Sequence, residues 1–256
     1  MDAIVLAGGI PGPTDPLHPL TLGKSKSLLE IAGKPMVEWV MDALEGSSTI
    51  DRIVIVGLPA NTQLKAKGSL VLADDTGSML DNIRTGSEIL ARDYQKPHEH
   101  HAILAASDIP AITSEMVDWK VQMVSQSDHD IYYSLITRQT MERRFPGSRR
   151  SFYRLKDAEV CGGDLNAIRL TLMTNPSAKW QQLVNARKNA FKQAALIGFD
   201  TLFMLLFRQF TIDSIGPWIS RRLEIKGRVF FSPHAETGMD IDKPEQLELV
   251  RNDMEN

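Results

Sequence analysis

The order of segments along the chain predicts an α/β fold with a doubly wound, mostly parallel, Rossmann-like sheet. Two observations support this prediction. Short runs of β-branched or aliphatic residues alternate with segments in which apolar residues recur every three or four positions. Glycines and prolines stand at the junctions, as in Gly57-Leu58-Pro59 and Asp108-Ile109-Pro110. Such alternation is typical of βαβ units, whose strands pair in parallel.

The first half of the chain supplies the parallel strands and the helices that cover them. The predicted strands are residues 3–7, 53–56, 70–73, 102–106 and 131–136, and the predicted helices are residues 36–44, 80–90 and 115–124.

The pattern changes after Pro146. Residues 152–155 and 159–172 predict a small antiparallel part around a turn at Gly162-Gly163, and residues 175–225 predict a helical insertion. Within the insertion, residues 191–207 are apolar nearly all round. A strand at 228–231 and a helix at 243–250, with Pro244 in its first turn, complete a single domain over residues 1–256.

Composition excludes several classes of protein. A net charge of -3 and a pI near 6.1 provide no basic surface for nucleic acid. The single cysteine, Cys161, excludes an intrachain disulfide framework and is expected to be a small core residue. The chain shows no secretory signal and no apolar stretch of membrane-spanning length, which predicts a cytoplasmic location. The oligomeric state is left open.

The first forty residues contain the most informative motif. The first predicted strand runs into Gly8-Gly9, where amides approach a ligand without obstruction by Cβ and form an anion site. Lys26 begins the run Lys26-Ser27-Leu28-Leu29 and adds a mobile cation. The segment therefore predicts a cradle for the phosphates of a nucleotide.

Acidic residues follow two of the predicted strands. Asp108 comes after residues 102–106 and lies at the carboxyl edge of the sheet, where open α/β folds bind ligands. The alternative, a cap for the helix near Thr113, is weaker. Asp240 and Asp242 lie on one side of an extended segment and are predicted to face one ion. Asp242 also fits the N-cap of the last helix, and both roles are compatible.

Three other segments allow both a functional and a structural interpretation. Residues 77–86 form a glycine turn before a helix, which suits a phosphate or a base edge as well as an ordinary capped helix. Residues 161–166 allow close approach of a substrate, although a hairpin turn is slightly favoured. The arginines at 143–150 favour a solvated surface over a site for an acceptor phosphate.

These motifs resemble those of the MobA-like NTP transferase superfamily, nucleotidyltransferases with a GT-A-like fold. Residues 6–9, 26–29 and 33–36 match its first motif, and residues 240–247 match its closing motif. Where the family usually carries Gly-Thr-Arg, this chain reads Ile10-Pro11-Gly12-Pro13-Thr14-Asp15. The resemblance implies transfer of NMP from an NTP to a phosphorylated or hydroxyl acceptor, with release of pyrophosphate, in the presence of Mg²⁺ or Mn²⁺.

The resemblance also implies roles for individual residues. Lys26, Asp108 and Asp242 would be catalytic, and Asp108, Asp240 and Asp242 would hold the metal ion. The residues that would bind the nucleotide are Leu6, Ala7, Gly8, Gly9, Lys26, Gly77, Asn82 and Ser107. The implied partners are an NTP and a small-molecule acceptor.

Three alternatives stay open at this point. A metal-dependent glycosyltransferase of related fold would use Asp240-Ile241-Asp242 as its metal motif. A regulatory protein that binds nucleotide without turnover would explain the missing arginine of the first motif. Residues 191–207 favour core packing over contact with a lipid acceptor or a membrane surface.

Overall fold

The computed structural model describes residues 1–185 and 210–255. In this part of the chain eleven strands form. They are β1 (Asp2–Leu6), β2 (Glu30–Ile31), β3 (Lys34–Pro35), β4 (Ile53–Val56), β5 (Leu70–Ala73), β6 (His101–Ala106), β7 (Ile131–Thr137), β8 (Tyr153–Arg154), β9 (Glu159–Gly162), β10 (Leu165–Arg169) and β11 (Gly227–Phe231).

Helices connect or follow these strands. The α-helices of the described residues are α1 (His18–Thr21), α2 (Met36–Gly46), α3 (Met79–Ala91), α4 (Ser114–Ser125), α5 (Arg138–Arg144), α6 (Thr171–Thr174), α7 (Ala178–Asn185), α8 (Ile212–Leu223) and α9 (Pro244–Glu255). Short 3-10 turns occupy Lys26–Leu28, Pro97–Glu99 and Ala235–Gly238.

The main sheet confirms the predicted fold class. Its order is β5-β4-β1-β6-β10-β7-β9-β8, and β11 pairs with β7. Strands β5, β4, β1 and β6 run in parallel, whereas β10 is antiparallel to both β6 and β7. The carboxyl ends of the parallel strands and the beginning of β10 therefore meet at one edge of the sheet.

Helices cover both faces of this sheet. In β1, Ala3 and Val5 pack with Val37 and Met41 of α2, whereas Ile4 packs on the opposite face with residues of α3. A strand with helices on both faces is apolar at successive positions, which explains the unbroken aliphatic run at the start of the chain.

The predicted turn at Gly162-Gly163 is wrong, because the chain makes a bulge there instead of reversing. Strands β9 and β10 both run antiparallel to β7. Gly162 pairs with Leu135 and Ala167 pairs with Tyr132, so the β9–β10 segment advances five residues while β7 advances three. A Cβ on Gly162 would lie 2.5 Å from the Tyr133 hydroxyl, so any larger residue here would displace the Tyr133 ring. Bulges of this kind redirect the side chains that follow them.

The second half otherwise follows the predicted pattern where it is described. Helices α7 and α8 lie within the predicted helical region, and Cys161 is buried in the core as expected. The predicted apolar helix at 191–207 lies outside the described residues, and the single-domain organisation stays a prediction. Over residues 1–185 and 210–255, none of the helices has the length and apolar character needed to cross a membrane.

Candidate active site

A cavity of about 420 Å³ opens at the carboxyl edge of the sheet. The ends of β1 and β6, the loop after β5 and the residue before β10 form its walls. The residues of the predicted site that line it are Leu6, Gly8, Gly9, Lys26, Gly77, Asn82, Ser107, Asp108 and Asp240. Sequence positions far apart thus converge on one cavity, as expected for a parallel sheet.

Lys26 is the cation at the centre of this cavity. Its Nζ lies 2.6 Å from Asp108 Oδ2 and 2.7 Å from Asp242 Oδ1. Burial alone would lower the pKa of Lys26, but the negative charge and hydrogen bond of Asp108, supported by Asp242, outweigh it and raise the pKa above its ordinary value. Lys26 is therefore a permanent positive charge held between two of the predicted catalytic carboxylates.

Serine hydroxyls position the segment that carries Lys26. Ser25 and Ser27 both donate to the carbonyl oxygen of Ala7, at 2.9 and 3.1 Å. The Ser27 hydroxyl also lies 2.7 Å from that of Ser107, at the end of β6. Ala7, predicted to bind nucleotide, is fully buried and acts through this carbonyl as an anchor for the lysine segment.

The closing segment brings Asp242 to the lysine. The amide of Ile241 donates to the Asp108 carbonyl oxygen at 3.0 Å, which joins the segment to the end of β6. The Asp242 amide donates to the side-chain oxygen of Gln246 at 2.9 Å, so the Asp242 carboxylate is directed to Lys26 from a half-exposed position.

Asp240 and Asp242, which are predicted to face one metal ion, have different partners within the chain. The Asp240 carboxylate forms an ion pair with the Arg150 guanidinium, whereas Asp242 pairs with Lys26. The fully buried Ile241 lies between them, and a shared metal ion stays a prediction.

Arg150 is a residue of the site that the sequence did not single out. Its neighbours in the basic segment form surface ion pairs, Arg144 with Glu236 and Asp253, and Arg149 with Glu245. Arg150 is instead largely buried and reaches Asp240. The expectation of a solvated basic surface thus holds for Arg144 and Arg149 but not for Arg150.

The glycine turn after β1 already contacts an anionic side chain. The Gly9 amide donates to Asp75 Oδ2 at 3.1 Å, and the Gly77 amide and Asn82 Nδ2 donate to Asp75 Oδ1 at 2.9 and 3.0 Å. These hydrogen bonds, that from Gly77 first, lower the pKa of Asp75. A Cβ on Gly8 would lie 2.5 Å from Asn82 Nδ2, so glycine is needed for this close packing.

Asp75 was not predicted as a site residue, and its carboxylate occupies the predicted phosphate cradle in the folded protein. It follows β5 as Asp108 follows β6, and its place at a strand end is the signal that could have found it. The amides of Gly9 and Gly77 bind a carboxylate of the chain itself, and the Asn82 side chain holds that carboxylate in place.

Asp164 is the second missed carboxylate, and it stands at the bulge between β9 and β10. Its half-buried side chain lines the cavity beside Asp108. Desolvation in this position and the nearby charge of Asp108 raise the pKa of Asp164 to about 7, against the opposing effect of Arg150. The signal in the sequence was the Gly162-Gly163 pair, which was assigned to a hairpin turn.

The donor set fits a hard divalent cation. Asp108 Oδ1 is buried and has no hydrogen-bond partner in the described part of the chain. No group of three or more His, Cys, Asp or Glu side chains capable of holding a metal ion occurs within residues 1–185 and 210–255. Mg²⁺ keeps several waters and uses one or two protein carboxylates together with substrate phosphates, so Asp108 and Asp242 meet its requirements.

This combination of fold and cavity defines the class of protein, a nucleotidyltransferase with a GT-A-like fold. Residues 3–188 match the family described as the MobA-like NTP transferase domain. The chain belongs to this family, and the resemblance seen in the sequence is confirmed.

Individual relatives agree with this assignment. A hypothetical transferase from Thermus thermophilus shares 28% identity and a TM-score of 0.79, with 96% of this chain and 98% of that chain covered. A CMP:2-keto-3-deoxy-manno-octonic acid synthetase solved with CTP has the same fold, at 14% identity and a TM-score of 0.61 over 100% and 99% of the two chains.

A match to a curated sequence covers less of the chain. The bifunctional protein GlmU from Thermoanaerobacter pseudethanolicus is 29% identical over 113 residues, 43% of this chain. The aligned part spans 22% of that relative's length.

The raised pKa of Asp164 predicts a pH-dependent cost in stability. Between pH 3.8, its ordinary pKa, and about 7, the folded protein binds a proton that the unfolded chain has released. Stability from this group is therefore full below pH 3.8 and lost as pH rises through about 7. Asp164→Asn should raise the melting temperature at pH 8 by roughly 2 °C, a small value because solvent reaches the carboxylate.

Thermal unfolding in EDTA at pH 4.5 and pH 8 would measure this effect, since EDTA removes cations that would neutralise the carboxylate. The gain should shrink at the lower pH. Asp213→Asn, an exposed position in the first turn of α8, is the control. A gain of the same size at both pH values, or destabilisation at pH 8, would contradict the ionised state assigned to Asp164.

Proposed function

We propose that this protein is a Mg²⁺-dependent nucleotidyltransferase that transfers NMP from an NTP to an acceptor and releases pyrophosphate. The observation that carries the proposal is the Lys26 ammonium held within 2.7 Å of both Asp108 and Asp242 at the mouth of the sheet. An unpartnered buried oxygen of Asp108 adds to it. The Lys26 ammonium and the carboxylate oxygens of Asp108 and Asp242 thus lie together at the strand ends, where the phosphates and Mg²⁺ would bind.

Each residue of the cluster has a part in this reaction. Lys26 would contact the phosphates and neutralise charge that develops on the leaving pyrophosphate. Asp108 and Asp242 would hold Mg²⁺ and keep Lys26 oriented in the absence of nucleotide. When bound, the metal supplies positive charge to the phosphate oxygens as a Lewis acid. The glycine turn at Gly8 would allow the phosphates of the nucleotide to approach the protein backbone at the end of β1.

The beginning of α3 also lines the cavity, with Gly77, Ser78 and Met79. Helix N-termini favour anions through free amides and the helix dipole, which suits a phosphate and does not discriminate among nucleobases. The first screen is therefore a panel of ATP, GTP, CTP and UTP.

The glycosyltransferase alternative would use Asp240 and Asp242 as its metal motif. In the structure Asp240 contacts Arg150 and Asp242 contacts Lys26. The products also separate the two activities, because a nucleotidyltransferase releases pyrophosphate and a glycosyltransferase releases a nucleoside diphosphate.

Asp108→Asn tests the proposed function. We expect Mg²⁺-dependent pyrophosphate release to fall by at least ~10²-fold, because the substitution preserves shape and removes a charge that acts on the metal and the lysine. Asp242→Asn should act in the same direction. The fold should persist in each variant, since Lys26 keeps one of its two carboxylates.

The measurement is pyrophosphate release with each NTP, with and without Mg²⁺, beside thermal-shift binding of the same nucleotides. Asp51→Asn is the matched control, since Asp51 is exposed and pairs with the amino terminus at the opposite edge of the sheet. Nucleotide-dependent stabilisation without pyrophosphate release in the wild type would favour the regulatory alternative. Near wild-type turnover in Asp108→Asn would refute the assignment of the metal.

A further inference from the structure

Five carboxylates surround the cavity, and four of them have partners within hydrogen-bond distance. Asp108 and Asp242 contact Lys26, and Asp240 contacts Arg150. Asp75 accepts hydrogen bonds from two backbone amides and one side-chain amide. Each of these four side chains therefore has at least one close partner in the folded protein before any substrate arrives.

Asp164 is the exception among them. Within the described part of the chain its carboxylate accepts no hydrogen bond, and its Oδ2 lies 4.0 Å from the nearest Arg150 nitrogen. This distance exceeds that of a hydrogen bond. Asp164 nevertheless lines the cavity together with Lys26 and Asp108, and its side chain is 35% exposed. The side chain is thus available to a group that enters the cavity.

The backbone around Asp164 is held firmly. Its amide donates to the Thr237 carbonyl at 2.7 Å, and its carbonyl accepts from the Ala106 amide at 2.9 Å. The preceding residue is fixed as well, because the Gly163 amide donates to the Ser134 carbonyl at 2.9 Å and Asn166 Nδ2 donates to the Gly163 carbonyl at 2.6 Å. These hydrogen bonds fix the backbone from which the Asp164 side chain extends at the cavity wall.

The charge of the cavity favours a hydroxyl acceptor over a phosphate acceptor. Among the described lining residues, Asp75, Asp108, Asp164 and Asp240 are acidic and Lys26 is basic. A phosphate acceptor brings further negative charge to this wall and has no need of a base, because it is already ionised. A hydroxyl acceptor is neutral, donates a hydrogen bond to a carboxylate, and reacts well only when its proton is removed.

We propose that Asp164 is the general base of the reaction and that the acceptor reacts through a hydroxyl group. This inference rests on the proposed nucleotidyl transfer. The acceptor hydroxyl donates its proton to an Asp164 carboxylate oxygen while its own oxygen forms a bond to the α-phosphorus of the NTP. The bond between the α-phosphorus and the bridging oxygen breaks, and pyrophosphate leaves with that electron pair. The products are a phosphodiester, pyrophosphate and protonated Asp164.

The linkage in the product tests the class of acceptor. Glycerol 3-phosphate, ribose 5-phosphate and glucose 1-phosphate each offer both a hydroxyl and a phosphate, so each probe lets the enzyme choose. ³¹P NMR of the product distinguishes a phosphodiester, formed by hydroxyl attack, from a diphosphate, formed by phosphate attack. We expect a phosphodiester. A diphosphate product would overturn the inference and leave the nucleotidyl transfer itself intact.

A series of variants tests the role of Asp164. The assay uses whichever of the three acceptors gives the wild-type protein its highest rate. Asp164→Asn should lower kcat by about 10²–10⁴-fold with the KM for NTP nearly unchanged, because it removes a base and no phosphate contact. Asp164→Glu should recover part of the loss, and Asp51→Asn should match the wild type. An Asp164→Asn variant with wild-type kcat would overturn the role of Asp164. Failure of the wild-type protein to release pyrophosphate with any NTP and probe would overturn the proposed function, and this inference with it.

Discussion

Replacement of Lys26 by methionine is expected to lower NTP-dependent pyrophosphate release by about 10³-fold, the upper end of the effect of removing one preorganised electrostatic contact. Two consequences of the structure combine here. The ammonium that would neutralise the leaving pyrophosphate is lost, and Asp108 and Asp242 no longer have the cation that lies between them. Without the lysine, the carboxylates of Asp108 and Asp242 repel each other and the phosphates of a nucleotide.

The measurement is steady-state pyrophosphate release together with nucleotide-dependent thermal shift. Both kcat and NTP affinity should fall in Lys26→Met, because the lysine contacts phosphate in the ground state and in the transition state. Lys34→Met is the matched control, since Lys34 pairs with Asp42 and covers the Trp39 ring outside the cavity. Equal and negligible effects in the two variants would remove Lys26 from the mechanism.

The parts of this site that the sequence predicts are those whose position follows from sheet topology. Asp108 comes directly after β6, so a parallel sheet places it at the carboxyl edge regardless of detailed packing. Gly8 follows β1, and the same topology places it at this edge. The pairing of Lys26 with Asp242 joins residues 216 positions apart, and it was not predicted from the sequence.

The parts that the sequence does not predict depend on local register. Asp164 faces the cavity because a two-residue bulge redirects β10, and the same Gly162-Gly163 pair is equally typical of a hairpin turn. Asp240 and Asp242 share one side of an extended segment in the sequence pattern. The nearest cation decides their partners, and that depends on where α5 and its following loop bring Arg150.

Lys120 lies outside the cavity, and its buried amine affects the stability of the protein. It belongs to α4, is fully buried, and its Nζ donates to the Ser134 hydroxyl. The Phe230 ring lies 4.5 Å from Nζ. In the described part of the chain no carboxylate forms a salt bridge with it. Burial therefore lowers the pKa of Lys120 to about 7.

This depressed pKa makes Lys120 a destabilising residue near neutral pH. Between about pH 7 and its ordinary value of 10.5, the unfolded chain binds a proton that the folded protein excludes. Stability contributed by this group therefore rises as pH increases through that range and is lowest at and below pH 7. Removing the amine should relieve the cost where it is largest.

Lys120→Met is thus expected to stabilise the protein at pH 7 by about 1–4 kcal/mol, the range found when a buried ion pair or triad is replaced by apolar side chains of similar volume. The corresponding rise in melting temperature is roughly 2–4 °C per kcal/mol. The Ser134 hydroxyl retains an acceptor, the Leu165 carbonyl at 3.1 Å, so no buried donor is left unpaired.

Urea unfolding at pH 7 and pH 10 would test this expectation, with Lys65→Met at an exposed position as the control. The gain should be large at pH 7 and small at pH 10, and the control should change little at either pH. Ser134 accepts the Gly163 amide through its backbone, independently of the lysine, so the bulge at Asp164 should persist and pyrophosphate release should be unchanged. A less stable Lys120→Met variant would show that the folded protein provides the ammonium with a compensating interaction, and a selective loss of kcat would show that Lys120 positions the bulge.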